Sequence, residues 1–216
     1  MVATNRSRKE ISDLFIRTGR IQYIVLAYIL SGFIIFGRQF IELWAGAGYS
    51  DAYMISLLFF IPLTVPLIQN LGITILQARN EMKFRSVLYI IIALVSLAMQ
   101  IVLTRHFGGI GCAMGVSGAL VVGQILIMNV YYRRRQDLDI KTFWKEISKM
   151  SIIPIVLIFS SMLVIRHFFA LDSWGKLILG IAAFSLVYIP LFFRFSMTDD
   201  ERNLFISMFH KIFARA

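Results

Sequence analysis

The sequence has 216 residues, of which 58% are apolar and 16% charged, and its formal net charge is +10. A soluble domain of this length could not bury that much apolar surface, so the composition excludes most soluble classes. A nucleic-acid partner would need the basic residues gathered on one soluble module, but they lie between apolar stretches, so no nucleic-acid partner is expected.

Six apolar stretches come close to the length of about 20 residues that a helix needs to cross a bilayer. They are residues 21–37, 53–78, 86–104, 110–132, 151–169 and 177–193. The sequence therefore predicts an all-α integral membrane protein with six transmembrane helices. It would have a basic N-terminus at 1–20, the helix bundle at 21–193 and an amphipathic tail at 194–216.

The positions of the basic residues predict how this bundle is oriented. With six spans, 18 of the 22 Lys and Arg residues fall on one side of the membrane and four on the other. Positively charged residues accumulate on the cytoplasmic side of membrane proteins. We therefore expect a multi-pass protein of the bacterial cytoplasmic (inner) membrane with both termini in the cytoplasm.

The second apolar stretch contains Pro62 and Pro66, each of which removes a backbone donor and favours a kink. In lipid, such a break is tolerated where the helix faces protein or a watery cavity. The amides of Gln69, Asn70 and Gln77 fall near the face of the prolines. These amides either hydrogen-bond to neighbouring helices or line a cavity.

Arg38 lies at the predicted outer end of the first helix, one helical turn before Glu42. It either pairs with Glu42 or faces a central cavity and attracts an anionic group. The residues predicted to line a substrate path are Arg38, Gln69, Asn70 and Gln77.

The fourth apolar stretch carries small residues at a strict spacing of four: Gly111, Gly115, Ala119 and Gly123. Such a stripe lets another backbone approach closely, so it predicts a helix-packing face. The helix that packs there belongs either to the same bundle or to another chain.

Two segments on the cytoplasmic side have the pattern of amphipathic helices. Ile140, Phe143, Trp144 and Ile147 recur at helical spacing, so this segment is expected to lie along the membrane surface. In the tail, residues 198–201 (Thr-Asp-Asp-Glu) form a capping box. An apolar stripe follows it: Leu204, Phe205, Met208, Phe209, Ile212 and Phe213. The tail is expected to be an interfacial anchor, and a partner-binding helix is the alternative.

Catalysis finds little support in the sequence. His106, His167 and His210 form no metal-ligand motif, and the single cysteine, Cys112, lies in an apolar stretch without an obvious activating partner. We therefore expect a protein that is not an enzyme and that has no metal and no cofactor.

Five stretches carry a family resemblance: 17–22 (RTGRIQ), 40–49 (FIELWAGAGY), 61–70 (IPLTVPLIQN), 75–80 (ILQARN) and 128–132 (MNVYY). Together they resemble the polysaccharide and O-antigen flippases of the MATE-like exporter superfamily, which handles drugs, oligosaccharidyl-lipids and polysaccharides. Members usually have about twelve helices or more in two bundles that are parallel repeats. The resemblance therefore implies that this chain is the C-terminal half, one six-helix bundle of a MATE-like exporter.

The resemblance also implies a function in polysaccharide biosynthesis, such as that of lipopolysaccharide O-antigen. The chain would take part in flipping an undecaprenyl-diphosphate-linked oligosaccharide across the cytoplasmic membrane. Its expected partners are that lipid-linked oligosaccharide, membrane lipids and either a separate N-terminal half or a second copy. The alternatives are a fragment of a MATE-type small-molecule exporter, a membrane-embedded enzyme of lipid-linked sugar metabolism and a non-transporting scaffold.

Overall fold

The structure is a computed structural model that describes residues 8–168 and 172–213, with side chains for 8–165 and 172–207. All elements in these ranges are helices. The α-helices are α1 (Arg8–Ala45), α2 (Asp51–Ile68), α3 (Asn70–Ala78), α4 (Met82–Leu120), α5 (Met128–Arg135), α6 (Ile140–Phe168), α7 (Trp174–Phe195) and α8 (Asp199–Phe213). A short 3₁₀ turn, Ala47–Tyr49, precedes α2, and a π-helix, Val121–Ile127, joins α4 to α5.

Five helical stretches of the described residues are long and apolar enough to cross a membrane. They are Arg8–Ala45, Ala47–Ile68, Met82–Arg135, Ile140–Ile165 and Trp174–Phe195. Large apolar side chains on these helices face outward, and Leu186 (77%) and Phe159 (67%) are among the most exposed. Exposed apolar surface on this scale suits lipid and not water, so the chain is a multi-pass membrane protein.

The longest stretch, Met82–Arg135, folds back on itself at Gly108. Gly108 has φ 56° and ψ −136°, which residues with a Cβ rarely adopt, so it interrupts the helical path. A Cβ added to Gly115 would lie only 2.7 Å from the backbone nitrogen of Gln100. The segments on either side of Gly108 therefore pack closely against each other as a hairpin.

The small residues of the fourth apolar stretch lie at this contact, and all of them are buried: Gly111, Gly115, Ala119 and Gly123. A Cβ on Gly111 would overlap the carbonyl oxygen of Leu103, and a Cβ on Gly123 would overlap the side chain of Ile92. The stripe thus packs within this chain, against the first half of the same hairpin.

The apolar core of the described residues has two parts, and α1 contributes to both. The first part contains Phe15, on α1, together with Tyr132 and Phe143. The second contains Ala27, also on α1, together with Tyr188. Since α1 packs against α2 on one side and against α6 and α7 on the other, it is the central helix of the bundle.

The segment predicted to lie along the membrane surface is instead the start of α6, packed inside the protein. Phe143 is fully buried, and its ring centroid lies 5.0 Å from that of Phe15 on α1. Ile140 and Ile147 belong to the same core. The surface prediction was wrong because helical spacing shows that a face is apolar but not whether protein or lipid covers it.

Arg20 joins three helices at the end of the bundle that carries most of the basic residues. Its Nε donates to Oε1 of Glu201 and its Nη1 to Oε2 of Glu146, both at 2.6 Å. Its Nη2 also donates to Glu201 and to the carbonyl oxygen of Ser196. Arg20 (6% exposed) and Glu201 (3%) are buried, so this charged cluster fixes α8 to α1 and α6.

The capping box predicted at 198–201 forms at the start of α8. The backbone nitrogen of Thr198 donates to Oε2 of Glu201 at 2.8 Å. Phe205 packs against the second core, whereas the side chains of four further residues of the predicted stripe lie outside the described residues: Met208, Phe209, Ile212 and Phe213. The hydrogen bond from Thr198 to Glu201 confirms the glutamate half of the capping box, and the interfacial anchor stays a prediction.

The Glu201 carboxyl makes the stability of this end depend on pH. Burial raises its pKa, but the hydrogen bonds and charge of Arg20 and the Thr198 amide outweigh burial and hold the pKa below its usual value. Such a carboxyl contributes its full stabilisation above the unfolded-state pKa of about 4.3 and loses it as the pH falls through the folded-state pKa. We expect thermal stability in detergent to fall steadily below about pH 4.3 for this reason.

Glu201→Gln should remove that part of the acid dependence and destabilise the protein at neutral pH by about 2 kcal/mol. The matched control is Asp200→Asn, which changes an exposed carboxyl on the same helix. Identical acid profiles for wild type and Glu201→Gln would contradict the expectation.

The predicted orientation can be tested by cysteine labelling in a Cys112→Ala background. Ser50 and Arg135 are exposed in the structure, whereas Gln136 beside it is buried and would be a poor labelling site. Because 18 of 22 basic residues are predicted to be cytoplasmic, Ser50→Cys should react with a membrane-impermeant maleimide in intact cells. Arg135→Cys should react only after the membrane is opened, and the reverse pattern would overturn the orientation.

Candidate functional site

The helix predicted at 53–78 breaks at Gln69. α2 ends at Ile68, α3 begins at Asn70, and Gln69 between them has φ −101° and ψ 15°. Pro66, just before the break, lacks a backbone N–H and cannot make the usual helical hydrogen bond. Both prolines lie within the continuous α2 and the interruption comes three residues after Pro66, so the kink expected at the prolines themselves stays a prediction.

Gln69 turns into the protein at this break and is only 2% exposed. Its Nε2 donates to Oδ1 of Asn129 at 2.8 Å, and the same oxygen accepts a hydrogen bond from Nε1 of Trp144 at 3.0 Å. Asn129 in turn donates through Nδ2 to the carbonyl oxygen of Ile125. This polar network connects the broken helix to α5 and α6.

The helix on the other side of the break is also irregular, since Val121–Ile127 forms a π-helix. Short π-helical turns are rare and often occur at functional sites. Gln124 lies in this turn and is 5% exposed. Two departures from α-helical geometry thus border the same space.

That space is a small cavity with a volume of about 10 Å³. It is lined by Pro66, Gln69, Ile73, Arg85, Gln124, Met128 and Tyr132, and we call it the Arg85 cavity. A volume of about 10–15 Å³ is room for one water-sized particle. The cavity is therefore a site for a single small species and not for a sugar or a headgroup.

Arg85 brings a buried guanidinium, 8% exposed, to this cavity. Its Nη2 donates to Oη of Tyr89 at 2.7 Å. Its Nη1 is buried without a hydrogen-bond partner among the described residues, as is Nε2 of Gln124. No carboxylate of the described residues pairs with Arg85, and Glu81, one turn earlier, accepts a hydrogen bond from Gln136 instead.

The structure does not bring the four residues of the predicted substrate path together. Gln69 is buried at the helix break, whereas Asn70 and Gln77 are exposed. Arg38 lies on α1 near the opposite end of the bundle, where its Nε donates to Oε1 of Glu42 at 3.0 Å. Of the alternatives considered, the structure has the Glu42 pair for Arg38 and interhelical hydrogen bonding for Gln69.

Three residues of the cavity and its network are not among the predicted site residues: Arg85, Gln124 and Asn129. Gln124 and Asn129 carry a signal that could have found them, because amides within an apolar stretch usually hydrogen-bond across helices. Arg85 carries no such signal. It stands at the edge of an apolar stretch, where a basic residue is expected to lie in the interface.

A larger space lies between α6 and α7, in a different part of the bundle. It is a groove of 540 Å³ whose walls are mostly apolar, with Phe36, Leu157, Leu179 and Phe184 among the lining residues. Ser160 and Ser161 are the polar residues that line it. The groove is open to the surface of the helices, so it offers a site for a hydrocarbon chain.

Within the described residues, no group of three or more His, Cys, Asp or Glu side chains could hold a metal ion. Comparisons with protein-family models, with curated proteins and with solved structures gave no match. The fold and composition therefore define the class of protein: a multi-pass helical membrane protein with a broken helix and a buried polar cavity.

The Asn129 network should stabilise the bundle. Asn129→Leu would leave Nε2 of Gln69 and Nε1 of Trp144 without their acceptor, so we expect a loss of about 1–2 kcal/mol of unfolding free energy. Asn70→Leu, next to the break but exposed, is the matched control and should change stability little. Unfolding in mixed detergent micelles measures both variants. Equal effects would mean that the network contributes nothing measurable.

Proposed function

We propose that this chain is one bundle of a transporter that flips an undecaprenyl-diphosphate-linked oligosaccharide across the bacterial cytoplasmic membrane. The observation that carries the proposal is the break at Gln69, which places polar side chains inside an apolar bundle. Transporters commonly form their substrate paths where membrane helices are discontinuous. A protein that only anchors or supports others needs no such break.

The proposal takes the bundle to have six spans, because the stretch Met82–Arg135 would supply two of them. Its 54 residues would extend about 80 Å as one straight helix, whereas the hydrocarbon core is about 30 Å thick. The fold-back at Gly108 would divide this length into two crossings. Six spans also leave the basic residues segregated on one side, as the orientation rule requires.

The apolar groove between α6 and α7 supports a lipid-linked substrate. A flippase must keep an isoprenoid tail in a hydrocarbon environment while the head crosses, and the groove of 540 Å³ offers an apolar surface for such a chain. The residues that would meet the polar head lie elsewhere. Asn70 and Gln77 are exposed on this bundle, as residues of a path between two bundles would be.

Arg38 is the proposed contact for the diphosphate, because its guanidinium is 64% exposed and only one side of it is used by Glu42. A guanidinium can bind phosphate oxygens while it keeps one carboxylate partner. Lys176 serves as a control for Arg38, because it is a basic residue near the same end of the bundle and also pairs with one carboxylate, that of Asp172 at 2.6 Å.

Deleting the gene should leave the lipid-linked oligosaccharide on the cytoplasmic leaflet and stop polymer export, and wild-type protein should restore both. With protein levels matched, Arg38→Ala should restore little export and Arg38→Lys an intermediate amount. Lys176→Ala is the control and should restore export fully. Normal export in the deletion strain would contradict the proposed function, whereas normal export with Arg38→Ala would remove only the role of Arg38.

A single copy of this chain should not flip the substrate, because a cavity at the membrane midplane needs walls on all sides and one bundle supplies only part of them. The test is reconstitution at one protein per liposome, scored by the outer-leaflet exposure of a labelled lipid-linked oligosaccharide. Activity that appears only with a second copy or with a separate N-terminal half would agree with this expectation. Translocation by single copies would refute it.

A further inference from the structure

We propose that the Arg85 cavity binds one monatomic anion of halide size. This inference does not depend on the proposed transport function, since it concerns a small site lined by buried side chains within one bundle. It rests on the charge of Arg85, on two donors without partners and on the size of the cavity.

The charge of Arg85 is the first reason. Arg85 is only 8% exposed, and no carboxylate of the described residues forms an ion pair with it. A buried charge without a counter-charge is strongly unfavourable. Glu81, the acid nearest along the helix, is held by Gln136 and Tyr131 and does not fill this role.

The hydrogen-bonding groups at the cavity are the second reason. Nη1 of Arg85 and Nε2 of Gln124 are both donors, both buried and both without an acceptor in the described chain. Buried donors are nearly always satisfied, so an acceptor is needed between them. A water molecule could accept both hydrogen bonds, but only an anion also compensates the positive charge.

The size and walls of the cavity select the kind of anion. A volume of about 10 Å³ admits one small particle and excludes phosphate, carboxylate ligands and lipid headgroups. Ile73 and Met128 make part of the wall apolar, and a low local dielectric strengthens the attraction between an anion and Arg85. Among anions these features favour a monatomic one such as chloride, which is somewhat larger than water and would displace the flexible side chain of Met128.

Two irregular helices create this site. The break at Gln69 and the π-helix Val121–Ile127 both border the cavity, and Gln69 and Gln124 from these two segments line it. The site is therefore formed by backbone geometry as well as by side chains, which explains why sequence spacing alone does not reveal it.

The experiment compares thermal stability of the whole purified chain in chloride and in gluconate at equal ionic strength, with the chloride concentration varied. Ligands that bind the native state raise its stability with concentration. We expect a chloride-dependent rise in melting temperature that saturates. Gln124→Leu and Arg85→Gln should lose most of that rise, whatever their melting temperatures in gluconate.

Gln100→Leu is the matched control. Gln100 is an amide on the same hairpin with its own partners, Ser96 and Cys112, and it does not line the cavity. This variant should keep the full chloride-dependent rise. If Arg85→Gln fails to fold, the proposal is tested by Gln124→Leu and Gln100→Leu alone: only Gln124→Leu should lose the chloride-dependent rise in melting temperature.

A direct measurement locates the ion. Crystals grown in bromide should show anomalous scattering between Arg85 and Gln124 in the wild-type protein and none there in Gln124→Leu. Water alone in the cavity, or an equal chloride effect in wild type and Gln124→Leu, would overturn the proposal.

Discussion

The ion pairs of Arg20 are the interaction on which the arrangement of the basic end depends. One guanidinium binds carboxylates from two other helices, Glu146 on α6 and Glu201 on α8, at 2.6 Å each. The planar fork of arginine can engage both carboxylates at once, which a lysine ammonium does less well. Because Arg20 and Glu201 are buried, moving α1 away would leave the Glu201 carboxylate buried without its partner.

Arg85 is a second buried arginine near the basic end of the bundle, but unlike Arg20 it has no carboxylate partner among the described residues. Arg20 has carboxylates from its own chain, so that cluster is complete and holds helices together. Arg85 contacts only the hydroxyl and the ring of Tyr89 among these groups, and its Nη1 has no acceptor in the described chain. The difference separates a structural ion pair from a binding site, although both arginines come from similar positions at the ends of apolar stretches.

Local chemistry made parts of this structure predictable. The prolines of the second stretch indicate an irregular helix, and an interruption follows them at Gln69. The sequence at 198–201 indicates the hydrogen bond from Thr198 to Glu201 at the start of α8, because capping depends on residues close together in the chain. The apolar face of 140–147 was assigned to the membrane surface, since protein and lipid select the same side chains. Arg85 shares its cavity with Gln124 of the π-helix, which lies about 40 residues later in the sequence, and no local pattern encodes that contact.

The length of α1 has a mechanical consequence. Its 38 residues extend about 57 Å, nearly twice the hydrocarbon thickness of about 30 Å, without an assigned break. A single continuous helix therefore runs from the membrane interior to the end of the bundle that carries most of the basic residues, where Arg20 fixes it to α6 and α8. A change in the tilt of α1 within the bilayer would swing that end as a lever. A bilayer thickness that changed this tilt would therefore shift the position of the charged cluster.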